Sequence, residues 1–140
     1  MKVLISYAHY PMCGGHFFKW AFEEAGHEVY SVGPYTKDIV PWEGAPSFPK
    51  YIFPPDLEIK TGANWAPLKD VLDQMPWKPD LIFQVDAGFH LVGETDIPNA
   101  MFATDPHFLD YSTQYKEMDF FFNRERYFIP CRQRCILRRR

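Results

Sequence analysis

The sequence predicts an α/β domain built on an open, mostly parallel β-sheet with helices on both faces. Three observations carry that expectation. The chain opens in the order strand, glycine-containing loop, helix, strand; its later strands are near-continuous apolar runs; and polar, titratable residues gather just after those runs. A sheet buried on both faces makes nearly every side chain of a strand apolar, whereas a sheet with one wet face alternates.

The elements follow in order. Val3-Leu4-Ile5-Ser6-Tyr7 reads as a strand and runs into a turn-rich stretch ending Pro11-Met12-Cys13-Gly14-Gly15-His16. A helix is expected next, because Phe18, Ala21, Phe22 and Ala25 fall at i, i+3, i+4 and i+7, Lys19 and Glu23 pair at i,i+4, and Gly26 suits the left-handed C-cap position. By the same spacing the aromatics Phe17, Phe18, Trp20 and Phe22 are expected in the core. Glu28 to Val32 is a second strand. Six prolines between Gly33 and Gly62 exclude most regular structure there, leaving Lys50 to Phe53 as a short third strand. Asn64 is placed to cap a helix whose inward face is Leu68, Val71, Leu72 and Met75, with Pro67 tolerated in its first turn. Strands at Asp80–Val85, Asn99–Ala103 and Asp119–Phe122 complete the sheet, the last two separated by a helix from Pro106 to Lys116.

Composition bounds what such a domain does. At 140 residues, 46% hydrophobic and 18% aromatic, the chain can bury one sizeable core but is too small for two domains. No apolar run approaches the roughly 20 residues of a membrane helix, and the start lacks a signal-peptide pattern, so no membrane span and a cytoplasmic location are expected. Five of the seven arginines fall in residues 132–140; without them, ten basic residues face 18 acidic ones. An acidic body argues against a nucleic-acid surface, which needs cations spread over a face. Of the three cysteines, Cys13 lies in an early loop and Cys131 and Cys135 in the basic tail, which fits neither a disulfide scaffold nor a zinc site.

Ligands of an open parallel sheet bind outside the carboxyl ends of its strands. That rule selects His9, Cys13, Gly14, Gly15 and His16 after the first strand, Asp86, Gly88, Phe89 and His90 after the fourth, Thr104, Asp105, Pro106 and His107 after the fifth, and Asn123 and Arg124 after the sixth. Gly14-Gly15 before a helix end either lets an anion or sugar approach the backbone or simply makes a tight turn; both readings stand, and without G-x-G-x-x-G or a Walker lysine a dinucleotide site is disfavoured. Asp105 beside His107 fits a carboxylate and imidazole that deprotonate a hydroxyl, although Asp105-Pro106 equally fits a helix start. Asp86 and His90 form a similar pair, with His90 a second candidate base. Cys13 between His9 and His16 evokes an activated thiol, but the spacing belongs to no nucleophile motif and a partly buried loop residue is the expectation. The candidate catalytic residues are therefore His107, Asp105 and His90, and the candidate substrate-binding residues Gly14, Gly15, His16, Asp86 and Arg124, with no metal ligands.

Several of these stretches carry a resemblance. Gly14-Gly15-His16 through Glu24-Ala25-Gly26-His27-Glu28-Val29 resembles the opening of two-domain GT-B glycosyltransferases, whose N-terminal half is Rossmann-like, and Lys78-Pro79-Asp80-Leu81-Ile82 resembles their fourth strand. Ile97 to His107, followed by Met118-Asp119-Phe120-Phe121-Phe122, is similar to the CgeB-like (spore maturation type) members. Together these span about the first 130 residues. The resemblance implies metal-independent, cofactor-free transfer from a nucleotide sugar: an N-terminal domain binds a carbohydrate or other hydroxyl acceptor and supplies any base, while a C-terminal domain binds the nucleotide diphosphate. On this reading residues 1–130 are the acceptor-side domain of a truncated enzyme, inactive alone because the groups that stabilise the leaving diphosphate lie in the other half. Residues 131–140 are then a disordered or frameshifted basic tail: synonymous codons exist for them that read in the next frame as ordinary domain sequence. The alternative is a stand-alone α/β small-molecule-binding or regulatory module with a natural basic tail; a nucleotide-sugar epimerase is a third reading, and a receiver domain is disfavoured because its first loop wants clustered acids.

Overall fold

A computed structural model of the chain describes residues 1–11, 13–35, 53–86, 88–103, 118–123 and 128–130. The expected helix from Pro106 to Lys116 and the basic tail lie outside them. The elements are β1 (Lys2–Ser6), α1 (Gly15–Glu24), β2 (Glu28–Gly33), β3 (Leu57–Glu58), β4 (Trp65–Pro67), α2 (Leu68–Leu72), β5 (Leu81–Asp86), β6 (His90–Val92), β7 (Asn99–Ala103), β8 (Phe120–Asn123) and β9 (Phe128–Pro130). One sheet has the order β3-β2-β1-β5-β7-β8-β9, parallel throughout except for the final antiparallel pair β8–β9. The chain builds outward from β1 to β3, returns past β1 to β5, and builds outward the other way. This is a Rossmann-like sheet, and its topological switch point lies between β1 and β5.

Alternation along the strands divides the core between two faces. Leu4 of β1, Val32 of β2 and Ile82 of β5 pack with Ala66, Leu68, Val71 and Leu91 under α2. Ile5 and Val85 point the other way, where Phe18 of α1 lies against Phe83 and Phe102. Each aliphatic side chain taken wholly out of water in this way contributes about 1.5–3 kcal/mol. Both faces are thus covered, which is why the strands are apolar on every side.

Three local expectations are corrected. The buried or half-buried residues of α1 are Gly15, His16, Phe18, Lys19 and Phe22, whereas Ala21 and Ala25 are exposed. The reason is Lys19: its ammonium reaches Asp56 (3.2 Å) and the Ser31 hydroxyl (3.2 Å), so its stem lies along the sheet. Turned this way, α1 buries Phe18 and Phe22 only partly and leaves Phe17 and Trp20 outside. The strand beside β2 is β3; of the expected strand at residues 50–53, residues 50–52 lie outside the described residues and Phe53 is in no strand. What pins β3 is Asp56, which accepts from the Ser31 backbone N–H at 2.8 Å and its hydroxyl at 2.7 Å. Finally, Asn64 does not cap α2. Trp65–Pro67 forms β4, parallel to β6, and α2 starts at Leu68 after an extended Pro67. The predicted inward face of α2 is otherwise present, with Leu68 and Val71 buried and Leu72 and Met75 packed against them.

β6 is held down by one side chain. Gln84, buried in the central strand β5, accepts from the Leu91 N–H (2.7 Å) and donates to the Leu91 carbonyl (3.3 Å) and to Asn99 Oδ1 (3.2 Å). A polar group this deep is tolerated because its amide is satisfied. It lays the β5–β6 connection back over the α2 face.

Candidate functional site

The chain beyond β1 does not leave the sheet at once. Tyr7 N–H donates to the Val32 carbonyl at 3.2 Å and His9 N–H to the Pro34 carbonyl at 2.8 Å, so residues 7–9 run on beside the end of β2. This places Tyr7 and His9 at the carboxyl edge, next to the switch point. Two glycines make room. A Cβ on Gly33, whose φ is +151°, would fall 1.9 Å from the Tyr7 carbonyl oxygen, and one on Gly15 would fall 2.2 Å from Tyr7 Cγ. Helix α1 therefore begins directly on the face of the Tyr7 ring.

Around that ring two side chains converge. His9 stacks on Tyr7 with centroids 3.8 Å apart, and Tyr7 Oη shares a 3.1 Å hydrogen bond with His16 Nδ1. The two imidazole centroids are 5.7 Å apart. His9 and His16 are 1% and 4% exposed. His9 Nδ1 lies 3.2 Å from the Phe53 carbonyl; a carbonyl only accepts, so this nitrogen carries the proton and, in the neutral ring, Nε2 is a bare lone pair. The Nε2 atoms of both histidines are buried without a hydrogen-bond partner among the described residues.

Burial also sets the charge. It lowers the His9 pKa to about 4 against the opposing effect of the Phe53 and Val32 carbonyls, with nearby His16 and Lys19 acting in the same direction as burial. Burial and then Lys19 lower His16 to about 4 as well. Both rings are neutral at pH 7. Burial pushes the Tyr7 hydroxyl far above its ordinary value, so it stays protonated. The site thus presents neutral imidazoles and aromatic rings.

It does not present an anion cradle. The first N–H groups of α1 have partners: Gly15 N–H donates to Cys13 Sγ (3.4 Å), His16 N–H to the Cys13 carbonyl (3.2 Å) and Phe17 N–H to the Gly14 carbonyl (3.2 Å). Gly15 is small because Tyr7 lies beneath it, while Gly14, at φ −59°, has open space around it. The Lys19 ammonium is taken up by Asp56, Ser31 and Glu23. Cys13 itself is fully buried, and that burial raises its thiol pKa despite the Gly15 N–H and the Tyr10 hydroxyl. A neutral, enclosed thiol is a poor nucleophile. Iodoacetamide at pH 7.5 is expected to leave Cys13 unmodified in the folded chain and to alkylate it in 6 M urea, which peptide mapping checks; rapid labelling of the native chain would contradict the packing.

The other candidates stand elsewhere. Asp86 ends β5 and pairs with Ala103, across the switch point from the histidines. His90 is buried in β6, opposite Trp65 of β4, on the face of the sheet away from α1. The structure therefore brings His16 together with Gly14 and Gly15 but not with His90. His107, Asp105 and Arg124 lie outside the described residues, among which no group of three or more His, Cys, Asp or Glu side chains is placed to hold a metal ion. Nor is any helix among them long and apolar enough to cross a membrane. Two open grooves of about 330 and 340 Å³ lie apart from the histidines, one beside Trp77 and Pro79, the other between Glu58 and Gln74. The sequence pointed to Tyr7 only as a strand residue and to His9 only as a rim residue flanking Cys13; the available signal was an aromatic residue directly after the first apolar run, at the switch-point strand.

Fold and site together define a Rossmann-like α/β domain with two neutral, buried histidines packed around Tyr7 at the end of its first strand. No family model, curated protein or solved structure matches the chain.

Proposed function

We propose that this chain is the acceptor-side domain of a nucleotide-sugar-dependent glycosyltransferase, working with a second domain that binds the donor. The observation that carries this reading is the pair of neutral, unpartnered imidazole nitrogens at the carboxyl end of β1. A buried polar atom without a partner costs free energy, and a hydroxyl, which both donates and accepts, satisfies the bare Nε2 of His9 and either tautomer of His16. A diphosphate, in contrast, wants free N–H groups or cations, and those of α1 and Lys19 are already engaged. Hydroxyl-binding here and diphosphate-binding elsewhere is the division of labour that the resemblance to GT-B enzymes implies.

The chain is expected to bind simple glycosides weakly, with dissociation constants in the millimolar range, about −4 kcal/mol. It is expected to bind UDP, GDP or their sugars more weakly still and to transfer no sugar on its own. Isothermal titration and ligand-observed NMR check this. Micromolar binding of a nucleotide would overturn the proposal and favour a stand-alone nucleotide-binding module.

A further inference from the structure

We propose that Trp20 and Phe53, with Phe17 at their margin, form a stacking shelf for a pyranose ring, one hydroxyl of which engages His16 Nε2. This names the acceptor class and rests on the acceptor-side reading.

The shelf is built by two distant stretches. Phe17 and Trp20 stand on the outer side of α1, and Phe53 arrives from the end of the proline-rich segment, held by its own carbonyl on His9. Phe17 is 59% exposed, Trp20 41% and Phe53 36%. Single exposed aromatics are ordinary on protein surfaces. Here three of them meet: Trp20 contacts Phe17 at 5.8 Å and Phe53 at 5.4 Å, both near perpendicular. His16 joins them from below, 4.9 Å from Phe53 edge-on and 6.4 Å from Trp20 nearly parallel. The helix keeps these rings out of the core although half-buried positions on the same helix hold Phe18 and Phe22.

The chemistry beside the rings selects the ligand. The C–H face of a pyranose packs on an aromatic face, whose π-cloud is negative, while its hydroxyls still need polar partners. His16 supplies one, buried and unpartnered at Nε2. A nucleotide base stacks equally well but brings phosphate, for which the first N–H groups of α1 and the Lys19 ammonium have no spare capacity. A cationic ligand meets Lys19, whose charge already acts on His16. A sugar ring carries no charge and suits both conditions.

The full chain is titrated with the methyl glycosides of glucose, galactose, mannose and N-acetylglucosamine, with the open-chain polyol sorbitol as control, following the Trp20 indole and His16 ring signals by NMR. At least one glycoside is expected to shift both signals and sorbitol neither. Trp20→Ala is expected to weaken that binding about tenfold, and Trp20→Phe, which keeps a ring, to recover part of it. His16→Gln tests the polar contact while keeping a hydrogen-bonding side chain. Circular dichroism establishes that each variant folds. Glycoside binding unchanged in Trp20→Ala would overturn the shelf while leaving the acceptor-side reading intact. No glycoside shift up to about 100 mM, far above millimolar affinity, would overturn the shelf, and micromolar nucleotide binding would overturn the reading beneath it. Sedimentation that reveals a dimer lost in Trp20→Ala would assign the rings to a contact between copies and equally overturn the shelf.

Discussion

Gly33→Ala is expected to cost several kcal/mol, on the order of 3–5, and to leave the chain largely unfolded at 37 °C. The new Cβ would lie 1.9 Å from the Tyr7 carbonyl oxygen, which belongs to the backbone running alongside β2. Relief would require parting β1 from β2 at the edge where the histidines sit, and a φ of +151° adds strain for any side chain. Gly15→Ala meets a side chain instead, at 2.2 Å from Tyr7 Cγ. That ring is buried and tied to His16, so overpacking of about 1–3 kcal/mol is expected, with displacement of the Tyr7–His16 hydrogen bond. Gly14→Ala is the control: an added Cβ there would meet no non-neighbouring atom within 4 Å and φ is helical at −59°, so it should be neutral or stabilise by about 0.4–1 kcal/mol. Urea unfolding midpoints of the three variants should rank in that order. Gly33→Ala with a midpoint close to the parent would mean that the Tyr7 segment does not lie against β2.

The sheet was legible because its signals are local. β1, β2, β5, β7 and β8 each show as a short apolar run, and Gly26, at φ +80°, ends α1 where the left-handed C-cap was expected. What failed depended on partners distant in sequence. The face that α1 buries is set by Lys19 reaching Asp56, 37 residues away, and no helical periodicity records such a pair. β4 and β6, three residues each, are too short for a period to show, and they exist because the Gln84 amide holds the backbone of Leu91. The loop after β1 invited a reading of Cys13 flanked by histidines. In three dimensions the sulfur turns inward to accept the Gly15 N–H, and the histidines organise around Tyr7 instead. Residue types at the rim were readable; their grouping was not, because a chain that folds back over the α2 face takes His90 away from the side where His16 lies.

Acidification is expected to destabilise the fold well before its carboxylates titrate. His9 and His16 are lowered from 6.5 to about 4 in the folded chain, so in the unfolded chain they take up protons at higher pH than in the folded one. Between pH 6.5 and 4 the unfolded state binds more protons, and stability must fall as pH falls through that window. Above pH 6.5 the contribution is fully present; below about pH 4 both states are protonated and no further loss comes from these rings. At about 1.36 kcal/mol per unit of pKa, a shift from 6.5 to about 4 makes the fold roughly 3 kcal/mol less stable per ring at acid pH than at neutral pH. Asp56 is separate: burial, the largest single effect, raises its carboxyl pKa, but the Ser31 hydrogen bonds and Lys19 together outweigh it and hold the group below its ordinary value, so it acts only below about pH 4. Urea unfolding at pH 7.5, 6, 5 and 4.5 measures the slope, and His9→Gln should remove about half of it, because glutamine keeps a donor for the Phe53 carbonyl but does not titrate. The same window governs ligand binding, since only the neutral rings offer a lone pair to a hydroxyl. If stability were flat between pH 7.5 and 4.5, or if NMR titration of the His9 and His16 rings in the folded chain centred near pH 6.5, the two imidazoles would be exposed to water and not packed around Tyr7.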